Sequence, residues 1–278
     1  MAQKRQLTDA EIKAQVLART QKEQPDNLFP TEIVPLPSRG LVYPLDNPLS
    51  KGKIEIRYMT AKDEDILTNQ NYLKRGVALD KLYESIVVGN GEGEPVNVRE
   101  MITGDKSAVM LASRILGYGS DYEITVKHPQ TGREFQHIVD LNQLKPDELD
   151  EGLYNNTREF EYKLPVSEKV IKFKLVTDAE QKAIAEEIEK REKAGMPQQS
   201  VTTQLKHTII SVDGNDERAF INSFISNHLL ARDSLSLRNF MADVQPDYDL
   251  KIYVDAPDHG FQDYINLPIN VDFFWPRA

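Results

Sequence analysis

A Pro-x-x-Gly turn preceded by apolar residues at period two recurs in this chain 128 positions on. The first copy is HPQTGREF, residues 128–135, and the second is APDHGFQD, residues 256–263. Pro129 and Gly132 answer to Pro257 and Gly260, and the preceding Ile124 and Val126 to Ile252 and Val254. Apolar residues at period two, a proline–glycine turn and a departing strand predict a β-hairpin. Two such hairpins with matching flanks predict a chain built from two copies of one unit that ends in the hairpin.

Three further matches occur in the same order. Ile54, Ile56 and Tyr58 alternate with charge, as do Ile171, Phe173 and Leu175, each 117 positions on. Each strand runs into a helix cap: Thr60 with Asp63, and Thr177 with Glu180. Next, Leu82, Ser85, Ile86, Val87 and Gly91 match Leu205, Thr208, Ile209, Ile210 and Gly214, offset by 123. Leu79, Leu82, Ile86 and Val87 then share one helical face that Gly89 to Gly93 ends. Finally Asp105 starts a helix with Val109, Ala112, Ile115 and Leu116 inward. Asp233, offset by 128, starts another with Leu237, Phe240, Met241 and Val244. Offsets that grow along the chain are what insertions in the second copy produce, in the charged stretch AEEIEKREKAG and near residues 220–225. The expected fold is α+β: two tandem strand–helix–helix–helix–hairpin units. Two unrelated α+β domains with common capping and turn chemistry are the alternative.

The domains follow. Residues 1–30 form an N-terminal arm and linker, 31–150 the first unit and 151–278 the second, with an aromatic tail. In the arm, Thr8 and Glu11 make a capping box, and Ile12, Val16 and Leu17 give a thin apolar stripe, either disordered or docked. Residues 34–48, VPLPSRGLVYPLDNP, hold four of the prolines and predict an extended, turn-rich collar beneath which Leu36, Leu41, Val42 and Tyr43 pack.

The chain has no cysteine, which excludes disulfides, thiol nucleophiles and thiolate metal sites. A net charge of −10 disfavours a nucleic-acid groove. The longest apolar runs are too short to span a bilayer, and no apolar stretch of a secretory signal follows the first residues. His128, His137, His207, His228 and His259 show no zinc spacing, so neither metal nor cofactor is expected. The chain lacks GxSxG, P-loop and strand-following GxGxxG patterns, and GNGEGEP carries glutamates that repel phosphate. Paired carboxylates such as Asp63 to Asp65 or Asp147, Glu148 and Asp150 read as helix starts and solvated faces. A carboxylate-based hydrolase is the distant alternative.

Two features ask for more than solvation. The collar offers Leu36, Pro37, Arg39, Leu41 and Tyr43; the terminus offers Phe273, Phe274 and the single tryptophan, Trp275. Three aromatics in six residues call for burial, in their own unit or in a partner. The segment lies beyond the last repeated element, which favours the partner.

The order LPSRGLVYP, MTAKDEDIL, LDKL, GDKSAVMLASRILGYGSDYEI and a Pro-x-x-Gly hairpin resembles the baseplate hub proteins of T-even-type contractile-tailed bacteriophages. The resemblance covers about residues 35–141, with FFWP as an echo. It implies a non-enzymatic hub or hub-assembly role, in the host cytoplasm during assembly and then in the virion tail. The implied partners are other tail and baseplate proteins, with no nucleic acid, membrane or small-molecule substrate. A transient tail-assembly chaperone absent from the virion is the alternative. The resemblance also implies a zinc-ribbon-like hairpin of CPxCG type, which here reads HPQTG and APDHG, without cysteine.

Overall fold

The computed structural model describes residues 29–195, 199–267 and 271–274. The arm helix expected over residues 7–24 lies outside them, as does Trp275. Residues Thr31–Ala278 form one compact unit.

Ten strands and eight α-helices are described, in four small antiparallel sheets, so the chain is mixed α and β. In the first sheet, β1 (Thr31–Pro35), β2 (Lys53–Arg57) and β3 (Val87–Gly89) lie in that order. Alternation decides the central strand: Ile54 and Ile56 are buried, while Lys53, Glu55 and Arg57 flank them. The helices α1 (Ala61–Thr68), α2 (Gln70–Lys74) and α3 (Ala78–Ile86) follow β2. Asp63 closes the cap of α1, accepting from Thr60 N at 2.8 Å. Arg57 grips the same carboxylate at 2.8 and 2.9 Å, and Ser85 Oγ donates to it at 2.7 Å. Burial pushes the Asp63 carboxyl up, but these donors outweigh it and hold it well below the ordinary range.

Val87 is not helical. The helix stops at Ile86, and Val87–Gly89 pairs with β2 instead. Val87 and Val88 are β-branched and lie beside an open strand edge, so pairing wins over one more helical turn.

The long helix α4 (Thr103–Tyr118) leads to the hairpin β4 (Asp121–Lys127) and β5 (Glu134–Asp140). On α4, Val109 is buried as expected. Ala112, Ile115 and Leu116 are partly buried, and Ala108, Leu111 and Arg114 take the inner positions.

A second sheet holds β6 (Glu159–Lys163), β7 (Val170–Lys174) and β8 (Ile209–Val212) in that order. Between β7 and β8 run α5 (Asp178–Lys193) and α6 (Ser200–Thr208); after β8 come α7 (Arg218–Asn227) and α8 (Ala231–Asp243). Glu180 closes the cap of α5 at Thr177 N, 2.8 Å, and pairs with Arg158 and Lys174. Burial raises the Glu180 carboxyl, but these partners bring it down to about 2. The last hairpin is β9 (Lys251–Ala256) and β10 (Phe261–Asn266).

The core draws on both halves: Ile54, Ile56, Leu82 and Val109 from the first, Ile171, Phe173, Leu237 and Val254 from the second. Main-chain links also cross. Ile102 bridges Thr177, Asp178 N donates to Met101 O at 3.0 Å, and Asp147 N to Asp247 O at 2.9 Å. Lys106, nearly buried, lies 2.7 Å from Asp178 and 3.1 Å from Asp80.

Candidate functional site

The collar, residues 36–52, is held by one buried carboxylate. Leu36 N donates to Gly52 O at 2.9 Å and closes the loop at its base. Inside it, Ser38 N and Ser38 Oγ donate to Asp105 at 3.0 and 2.8 Å, and Tyr43 OH donates to the same carboxylate at 2.6 Å. Tyr43 OH in turn accepts from Ile102 N at 3.0 Å. Burial pushes the Asp105 carboxyl up, the three donors pull it back, and the nearby Asp247 charge adds to the rise, leaving it at about 6. Burial, and then the Asp105 charge, push the Tyr43 hydroxyl up as well.

The turn itself is tight. Arg39 and Gly40 have φ of 51° and 81°. A Cβ at Gly40 would meet Ser50 O at 2.2 Å, so glycine is required there on two counts. Leu36, Pro37 and Tyr43 are buried beneath the loop and Leu41 is half-buried. Arg39 is exposed and reaches Glu151 at 2.6 Å. Leu45 at the tip is 78% exposed, between exposed Pro44 and Asp46. The five collar residues expected at a partner surface therefore divide. Arg39 and part of Leu41 face outward, whereas Leu36, Pro37 and Tyr43 hold the loop down.

Phe273 and Phe274 are fully buried. Phe273 packs edge-on against Tyr122, centroids 5.0 Å apart, and against Phe274 at 5.6 Å. Arg114, 1% exposed, donates to Phe273 O at 2.8 Å, Gly119 O at 2.7 Å and Asp121 O at 3.0 Å. A buried guanidinium that spends its fork on three carbonyls ties the terminal segment to α4 and β4. The sequence left these two rings between their own unit and a partner and leaned to the partner; in the structure both are buried within the chain, Phe273 against Tyr122 and beside Arg114. Arg114 escaped the sequence reading. Its one signal is an arginine at an inward position in SAVMLASRIL.

The two hairpins meet at their tips. Phe135 stacks on His259, centroids 4.4 Å apart, and packs against Phe261 at 5.7 Å. His128 Nδ1 accepts from Gln130 N and Thr131 N at 3.1 and 3.3 Å, and its Nε2–H donates to Gly260 O at 3.2 Å. Turn hydrogen bonds and stacked rings thus occupy positions where the resemblance implies a metal. Among the described residues no three His, Asp or Glu side chains converge as a metal site, and no helix is long and apolar enough to cross a membrane. Between β1 and α4 lies a cleft of about 360 Å³ lined mainly by apolar residues such as Ile33, Leu111, Ala112 and Ile115, with Glu32 and Tyr248 also at its wall.

The arrangement thus offers a clamped loop, buried Phe273 and Phe274, and packed hairpin tips. A comparison with curated proteins and one with solved structures each gave no match. The family model described as T4 bacteriophage base plate protein matches residues 42–274, from the collar to Phe274. The chain belongs to that family of phage base plate proteins.

Proposed function

We propose that this protein is a non-enzymatic part of the tail baseplate, placed at its hub, that works by contact with other tail proteins. It assembles in the host cytoplasm and remains in the virion tail. The observation that carries the reading is the collar: a loop clamped by a buried carboxylate, with Arg39, Leu41 and Leu45 toward solvent. Clamping removes the ordering cost that a flexible loop meets on binding. Trp275, outside the described residues, completes the proposed contact set.

The same reading includes duplication, residues 31–150 and 151–278 being copies. Its support is geometric as well as sequential. The ion pair Arg57–Asp63 has Lys174–Glu180 as its counterpart 117 positions on, and the bulge between Glu55 and Ile56 has one between Lys172 and Phe173 at the same offset. Asp105 accepts from Ser38 N; Asp233 accepts from Val166 N at 2.8 Å, both positions offset by 128. Leu164 and Pro165 likewise answer to Leu36 and Pro37 at 128. The offset falls from 128 at residues 36–38 to 117 at β2, because residues 36–52 join β1 to β2 where 164–169 suffice to join β6 to β7. The collar beyond Ser38 is on this account an addition to the first copy, which is where a specific contact is expected. The hairpins are the Cys-less counterparts of a zinc-ribbon turn.

The test is a phage carrying Arg39→Glu with Leu45→Asp. Both side chains are exposed, so the melting temperature of the purified protein should stay within a few degrees of wild type, surface changes costing about 0.5 kcal/mol or less. Incorporation into tails should fall at least tenfold. Normal incorporation would reject the collar as the contact.

A further inference from the structure

The outer face of the β9–β10 hairpin has no role in the reading above. Register sets Tyr253 opposite Tyr264, Asp255 opposite Gln262 and Lys251 opposite Asn266. Opposed residues share a face, and the other face gives Val254 and Phe261 to the core. The two tyrosine rings lie 5.1 Å apart, and the residues are 53% and 66% exposed. Hairpin β4–β5 serves as an internal comparison. Its outer face pairs Glu123 with Ile138, Thr125 with Gln136 and Lys127 with Glu134, a surface polar apart from Ile138 and without aromatics. A hairpin of this kind therefore needs no tyrosine pair to form.

Charge says what would cover the pair. Residues 247–266 carry Asp247, Asp249, Asp255, Asp258 and Asp263 against Lys251 alone. Nothing comparable surrounds β4–β5, where Lys127 and Arg133 offset part of the acidic charge. Two adjacent, mutually tilted tyrosine rings within an acidic field match a cationic side chain with its apolar stem. A lysine or arginine within about 6 Å of a ring centroid is drawn to its face, and complementary charge steers the encounter.

We propose that the Tyr253–Tyr264 face docks a lysine- or arginine-bearing segment of another tail protein, with the rings as platform and Asp255 as the nearest countercharge. This surface is distinct from the collar, and the proposal rests on the chain being a tail component. Phe261 and His128 hold the hairpin tip against its neighbour, so the platform is already in place before contact.

The experiment replaces Tyr264 by p-benzoylphenylalanine in the full chain during infection. Cells and purified tails are irradiated separately, and the crosslinked peptides are sequenced. The expected product joins position 264 to a tail protein segment with an excess of Lys and Arg, and its yield falls at least fivefold with Asp255→Lys. Crosslinks only to this chain, crosslinks to a segment without that excess, or no crosslink in tails that contain the chain would overturn the proposal. A basic crosslink in cells with the chain missing from tails would keep this surface and instead reject the tail-component reading.

Discussion

Asp105 shows at the scale of one residue how burial and function meet in this protein. Its carboxyl sits at about 6, above the usual value near 4. An acid raised on folding binds its proton more tightly when folded. Its favourable contribution is therefore complete below about pH 4 and is lost as pH rises through about 6. Glu180 runs the other way: held at about 2, it contributes above about pH 4 and loses that contribution as pH falls toward 2. Urea unfolding of wild type and Asp105→Asn at pH 4, 5, 6 and 7 should show the wild type losing ground to the variant across that series. A constant difference would contradict the burial of a titrating carboxyl there. The sequence made Asp105 the cap of its helix; the structure caps that helix at Ile102 and puts Asp105 in the first turn. Its partners lie 67 and 62 residues earlier, and no local pattern carries such a pairing. Arg114 is the same case for one of its three carbonyl partners: Phe273 lies 159 residues on, while Gly119 and Asp121 are close by at the turn into β4.

Elements were legible where their signal is local. The two hairpins, the strands β2 and β7 and the caps at Thr60 and Thr177 follow from period two, from turn chemistry and from capping boxes. The short strands β3 and β8 were not legible, because Ile86–Val87 and Ile209–Ile210 fit a helical stripe and a strand edge equally well, and a sheet edge elsewhere decides. Helix α4 illustrates how docking overrides propensity. Gly104 lies in its first turn, and a Cβ there would stand 1.8 Å from Pro246 O. In an exposed helix Gly→Ala gains about 1 kcal/mol. Here Gly104→Ala should instead lower the melting temperature, since backbone on both sides must move. A rise on thermal unfolding would mean that α4 and the residue 246 loop do not touch.

At the scale of the whole molecule, Phe273 and Phe274 join the common core. Phe273 is buried against Tyr122 and Phe274, so Phe273→Ala should cost about 3–5 kcal/mol in urea unfolding; a loss under about 1 kcal/mol would return the ring to a partner. Composition foretold that the aromatics need burial but not where, because Tyr122, against which Phe273 packs, lies 151 positions earlier. The family was legible in the motifs around the collar and α4, which carry no catalytic pattern. Place in the tail is the central claim, and the most direct measurement is quantitative mass spectrometry of purified virions beside infected-cell lysate. The account predicts this chain in virions at a fixed ratio to the other baseplate proteins. Its absence from virions, with abundance in the lysate, would contradict the account and make the protein an assembly factor that leaves before the particle is complete.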